Sequence, residues 1–159
     1  MFALDVLTHS PAQTYQLGQQ LGAMISEGDL ICLRGELGAG KTTLAAGIGN
    51  GWGAREIVNS PTFVLVNEYT DSRGCRLYHI DAYRLRDAAD SQSIALDDLL
   101  DDPHGAVMIE WAERVQEALP DECLQIDLVA VDDHTRQVKL EARGERHRRL
   151  LEAIVMREE

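Results

Sequence analysis

The chain has 159 residues, 45% hydrophobic and 26% charged, which fits one globular domain and excludes a disordered chain or one that needs metal or disulfide staples. A formal net charge of −12 repels phosphate backbones at long range, so a nucleic-acid grip over the whole surface is excluded and any nucleotide site must be a local positive spot. No apolar run approaches the roughly 18 residues of a spanning helix, and Met1–Ser10 lacks a basic run, so the chain is expected in the cytoplasm with no membrane contact.

Phe2–Leu7 reads as a first strand. Ser10 and Pro11 open a helix as N-cap and first helical residue, with Leu17, Leu21, Met24 and Ile25 at helical spacing, and Glu27-Gly28-Asp29 ends it. Leu30-Ile31-Cys32-Leu33 is a continuous apolar run, expected for a strand buried on both faces. The glycine-rich stretch Gly35–Lys41 follows, and Thr42–Ile48 continues as a helix. Phe63–Tyr69 and Arg76–Ile80 are rich in β-branched and aromatic residues, and Asp71-Ser72-Arg73-Gly74 between them predicts a hairpin. Leu85–Leu100 is acidic and helical in short pieces. Ala106–Ile109 is a further apolar strand ending at Glu110. Leu124–Val131 and Gln137–Glu141 predict a second hairpin, and Glu145–Met156 a closing helix with Leu150, Leu151, Ile154 and Val155 on one side. This order predicts a single α/β domain over residues 1–159, a three-layer sandwich with a mostly parallel sheet and antiparallel hairpin additions. Cys32, Cys75 and Cys123 are odd in number and fit no zinc or Cys-x-x-Cys spacing; they read as reduced, semi-buried thiols.

Gly35-Glu36-Leu37-Gly38-Ala39-Gly40-Lys41-Thr42 matches Gly-x4-Gly-Lys-[Ser/Thr] at every fixed position. The glycines let several backbone N–H groups face one anion, and the following helix adds its positive end. Lys41 is then a point charge for β- and γ-phosphates, and the Thr42 hydroxyl a magnesium ligand. The match follows an apolar strand and opens a helix, the context that separates a true P-loop from coincidence. Such a site needs a carboxylate from the end of a neighbouring buried strand, and both Glu110 and Asp81 qualify. Ser60-Pro61-Thr62-Phe63, between the P-loop helix and the next strand, is where a switch loop senses the γ-phosphate in P-loop hydrolases. Asp71-Ser72-Arg73-Gly74 mimics the Asp-x-x-Gly of GTPases, but it sits at a hairpin tip and no Asn-Lys-x-Asp occurs. Trp111 reads as packing, and Arg146-His147-Arg148-Arg149 as a solvated helix face, with a local RNA or partner contact as its alternative.

Gly35–Thr43, Ser60-Pro61-Thr62-Phe63, His79-Ile80-Asp81-Ala82-Tyr83-Arg84 and Glu110-Trp111 stand in the order and spacing of the bacterial TsaE family, formerly YjeE, which the chain resembles from about Ser10 to the second hairpin. The resemblance implies an ATPase required for threonylcarbamoyladenosine formation in tRNA. It would work with TsaB and TsaD, reach tRNA only through them, and hydrolyse ATP to reset that complex. It assigns Lys41 to phosphate, Thr42 and Glu110 to magnesium, Asp81 to the catalytic and metal set, and Thr62 to the switch loop. Adenine contacts would fall near Pro11, Thr14, Thr135 and Arg136, and Thr43 closes the phosphate loop. Two departures stand out: Asp87–Ser93 replaces a glutamate-rich segment, and Ala112 a frequent proline. The competing readings are a small P-loop kinase, disfavoured by the lack of an arginine-rich lid near Asp87–Asp102, and a nucleotide-sensing interaction protein with negligible turnover.

Overall fold

A computed structural model describes residues 2–36, 38–59 and 66–157. β2 (Leu30–Arg34) and β5 (Gly105–Glu110) are the apolar runs expected, β5 being buried along its whole length and β2 up to Leu33, as strands covered on both faces must be. They lie inside a seven-stranded sheet of order β1-β7-β6-β2-β5-β4-β3. β4 (Arg76–Asp81), β5, β2 and β6 (Cys123–Ala130) run parallel. β3 (Val66–Thr70) pairs antiparallel with β4, while β7 (Arg136–Arg143) and β1 (Phe2–Thr8) extend the opposite edge antiparallel. Both expected hairpins are present. In the first, the Asp71 carboxylate accepts the amides of Arg73 and Cys75, each at 2.9 Å, and Gly74 takes a positive φ; this is turn chemistry, as read from the sequence.

Alternation along β2 divides the core. Ile31 and Leu33 join Leu21 of α1 (Pro11–Met24), Leu44 and Ile48 of α2 (Lys41–Trp52) and Leu151 of α4 (Glu145–Arg157). Leu30 and Cys32 face Leu96 of α3 (Leu96–Leu100) and Val115 on the other side. Helices therefore cover both faces, giving three layers, and all three cysteines are buried and reduced. α1 stops at Met24, because Ile25 is already extended, so Glu27-Gly28-Asp29 is a turn beyond the helix rather than its end. A 3₁₀ segment at Ala112–Ala118 has no periodicity that predicts it. The basic cluster of α4 is a helix face: Arg148 pairs with Glu152 and Arg149 with Glu145, while His147 is buried and accepts the Leu30 amide at 3.1 Å.

α1 and α2 touch backbone to backbone. A Cβ at Gly22 would lie 2.0 Å from the carbonyl oxygen of Ile48, and one at Gly47 2.2 Å from that of Tyr15. The contact brings the start of α1 beside the start of α2, with the Thr14 methyl facing Gly40. Helix propensity favours alanine over glycine by about 1 kcal/mol, whereas overpacking costs roughly 1–3 kcal/mol. The obstacle at Gly22 is main chain and cannot swing aside, which puts the cost at the upper end of that range, so Gly22→Ala is expected to lose about 2 kcal/mol net in urea unfolding. An unchanged or raised midpoint would contradict the backbone contact.

Candidate functional site

The loop from β2 to α2 owes its glycines to its shape. Gly35, Gly38 and Gly40 take φ of +151°, +81° and +104°, conformations that disfavour a side chain, and a Cβ at Gly35 would come within 2.7 Å of the Leu128 carbonyl oxygen. Gly40 is the N-cap of α2 and Lys41 its first residue, so the first-turn N–H groups and the positive end of the helix lie at the loop. The Lys41 side chain is buried. Its ammonium donates to the carbonyls of Gly35 and of Glu36 (3.1 Å for the latter) and stands 3.9 Å from the Trp111 ring centroid. Burial pushes its pKa down, and the carboxylates of Glu110, Glu113, Glu36 and Asp81 oppose that shift.

Two acids meet this lysine. The parallel register sets Asp81 opposite Glu110, and Glu110 opposite Leu33, one row at the carboxyl ends of β4, β5 and β2, the edge where open α/β sheets bind ligands. Glu110 is buried, with Oε2 2.6 Å from His79 Nε2. Asp81 Oδ1 accepts the Tyr83 amide at 3.0 Å. Desolvation pushes the Asp81 carboxyl up; the Tyr83 amide opposes this, and the nearby Glu110 charge adds to it.

Lys41, Thr42, Asp81 and Glu110 line one cleft of ≈ 410 Å³, together with Pro11, Thr14, Gly38, Gly40, Thr43 and Arg136. The Thr14 hydroxyl is 2.7 Å from that of Thr8, which leaves its methyl toward the loop. Arg136 donates to the Gly38 carbonyl at 3.3 Å and to that of Asp132 at 2.8 Å, fastening the β6–β7 loop to the glycine loop. Gly35 and Glu36 do not line the cleft but supply carbonyls to Lys41, and Ala39 is buried. Thr135 is not brought to the lining. Its amide donates to Asp132 Oδ1 at 2.7 Å, and Asp133 and His134 reach the cleft in its place. Leu37, Thr62 and the remainder of Ser60-Pro61-Thr62-Phe63 lie outside the described residues.

Sequence reasoning missed Tyr83 and His134, and gave Trp111 only a packing role; all three line the cleft. Trp111 holds φ +61°, a costly conformation for a bulky residue, and its amide donates to the Leu33 carbonyl at 3.0 Å. That turn lays its ring against Lys41 and 5.0 Å from the Tyr83 ring, a cation–π contact where packing alone was expected. His79 was also missed as a neighbour of Glu110. Its signal was present, since residues 79 and 81 of one strand share a face.

The sequence model of the family described as "Threonylcarbamoyl adenosine biosynthesis protein TsaE" matches residues 8–138. The chain is 38% identical over 147 residues to the "tRNA threonylcarbamoyladenosine biosynthesis protein TsaE" of Bacillus subtilis, covering 92% of this chain and 90% of that one. It is 42% identical over 137 residues to the protein of the same description from Streptomyces coelicolor, covering 82% and 91%. A crystal structure of Bacillus subtilis YdiB superposes with a TM-score of 0.85 at 33% identity, covering 99% of this chain and 97% of that one. On the fold, the family match over residues 8–138 and these full-length relatives, the chain belongs to the TsaE family.

Proposed function

We propose that this protein binds and hydrolyses ATP in the formation of threonylcarbamoyladenosine in tRNA, and that turnover resets or regulates a TsaB–TsaD type transferase complex in the cytoplasm. The observation that carries the reading is the meeting of Lys41, Thr42, Asp81 and Glu110 in one cleft at the mouth of a P-loop. Family membership supports the tRNA-modification role. An acidic chain, net −12, suits docking on a basic partner that itself holds tRNA. No described helix is long and apolar enough to cross a membrane.

The residues present fit magnesium-ATP. No group of three or more His, Cys, Asp or Glu among the described residues could hold an ion unaided, so an ion here would depend on phosphate oxygens, the Thr42 hydroxyl and the two acids. The ion would neutralise charge on the transferred phosphoryl group. The glycine-loop amides and the α2 terminus cradle the phosphates. Lys41 exchanges the carbonyls of Gly35 and Glu36 for β- and γ-oxygens. Glu110, at the end of β5 beside the central β2, would hold the ion together with Thr42. Asp81, with its carboxyl pushed up by desolvation, orients the attacking water or an ion-bound one. Pro11, Thr14, His134 and Arg136 flank the base. A kinase reading gains no support: the cleft lining among the described residues includes Arg136 but no arginine-rich lid. Phosphate release from ATP without an added acceptor, increased by TsaB–TsaD, is the expected result. Phosphoryl transfer to a small acceptor with no release to water would contradict it.

Lys41→Ala and Thr42→Ala are expected to abolish productive Mg-ATP binding in a folded protein; calorimetry giving unchanged affinity for folded Lys41→Ala would refute the phosphate assignment. The absence of Asn-Lys-x-Asp predicts adenine over guanine, and GTP displacing a labelled ATP analogue as well as ATP does would contradict this. Glu110→Gln keeps shape and loses charge, so magnesium-dependent turnover should fall about 10²–10⁴-fold while nucleotide binding persists. The same range applies to Asp81→Asn if it orients water, and a loss under about threefold for either variant, assayed with the partners present, would refute that residue's role. Weakened magnesium binding in Asp81→Asn but not in Glu110→Gln would reverse the two assignments.

A further inference from the structure

The Glu110 carboxylate is the end of a chain of hydrogen bonds that is buried from Glu110 through His79 to Tyr69. His79 is 0% exposed, with Nε2 2.6 Å from Glu110 Oε2 and Nδ1 3.0 Å from the Tyr69 hydroxyl. That hydroxyl is 2.9 Å from the main-chain carbonyl of Asn59, which also accepts the Asn67 side-chain amide at 3.1 Å. Asn59 lies in the segment 53–59 that follows α2. We propose that His79 and Tyr69 form a bridge that positions the Glu110 carboxylate and ties it to the main chain at Asn59, so that the segment after α2 and the acid of the site are set together. This rests on the ATPase reading above.

Proton counting gives the bridge its direction. The Tyr69 hydroxyl carries one proton and has two acceptors in reach, His79 Nδ1 and the Asn59 carbonyl. If it donates to Nδ1, the neutral imidazole carries its own proton on Nε2 and donates it to Glu110. If it donates to Asn59, Nδ1 must carry the ring proton, and a neutral ring then has none for Glu110. In the geometry with Nε2–H on Glu110, Asn67 still donates to the exposed Asn59 carbonyl, so that acceptor keeps a partner. His79 and Tyr69 do not line the cleft; they are positioning residues, acting through Glu110.

The test compares Tyr69→Phe, His79→Gln and His79→Leu with wild type, measuring ATP turnover with the TsaB–TsaD partners as magnesium is varied. Orienting partners of this kind contribute about 10–100-fold. His79→Leu should lower kcat, or raise the magnesium needed for half-maximal turnover, by that factor, with KM for ATP within about twofold. His79→Gln should recover part of the loss, because its terminal amide can replace the Nε2–H donor. Tyr69→Phe should lose about tenfold in the same parameter, and it carries the test if His79→Leu does not fold. Nitrogen-15 NMR of the nucleotide-free protein should give His79 protonated at Nε2 in wild type and a shifted tautomer balance in Tyr69→Phe. A wild type that turns over ATP beside folded Tyr69→Phe and His79→Gln proteins of unchanged kcat and magnesium dependence would overturn the bridge, even if both had lost stability. A wild type that neither binds nor hydrolyses ATP would instead overturn the reading on which the bridge rests.

Discussion

One row of the parallel ladder runs Asp81, Glu110, Leu33 across β4, β5 and β2, and the site is built on that alignment. Leu33 is followed two residues later by the glycine loop, so the same row that brings the acids together also launches the loop beside them. Register is held by burial: Leu77, Met108 and Ile31 face one core, while Ile80, Ile109 and Cys32 face the other. A slip of one residue in β4 or β5 would turn every side chain to the opposite face, carrying Asp81 or Glu110 away from Lys41. The sandwich thus fixes the spacing of the acids more firmly than any loop could.

Electrostatics explains how an acidic chain can present the proposed anion site. At the cleft, the start of α2, Lys41 and Arg136 concentrate positive potential within a field of net charge −12. Desolvation pushes the Lys41 pKa down and the Asp81 carboxyl up, so both charged forms cost more here than in water. A magnesium nucleotide entering the proposed site would offset these costs, with phosphate oxygens against the lysine and a cation against the acids. The strained turn at Trp111 belongs to the same arrangement, because it places an aromatic face against the ammonium where another carboxylate would over-neutralise it.

Much of this was legible in the sequence, for physical reasons. The glycine loop is legible because its glycines are required by positive φ and close backbone approach, and Lys41 and Thr42 follow them at fixed offsets. The β3–β4 hairpin is legible because Asp71 and Gly74 are turn residues with a local mechanism, and the central strands because burial on both faces makes them uniformly apolar. What was not legible depends on long-range packing. The backbone contact of α1 with α2 is written as glycines spaced four apart, which a hydrophobic-periodicity reading passes over. Trp111 and Tyr83 meet only because β4 and β5 pair in register. The choice of His134 over Thr135 is decided by how the Asp132 carboxylate caps its loop, a detail below the resolution of composition.

A co-crystal structure with magnesium and a non-hydrolysable ATP analogue tests the central claim most directly. The expected result is phosphates within hydrogen-bonding reach of the loop amides from Gly38 to Thr42, Lys41 turned from the Gly35 carbonyl onto the β- and γ-oxygens, and an ion beside Thr42 on the Glu110 and Asp81 side. An analogue bound outside this cleft, or phosphates in the cleft with both acids turned away from the ion, would contradict it.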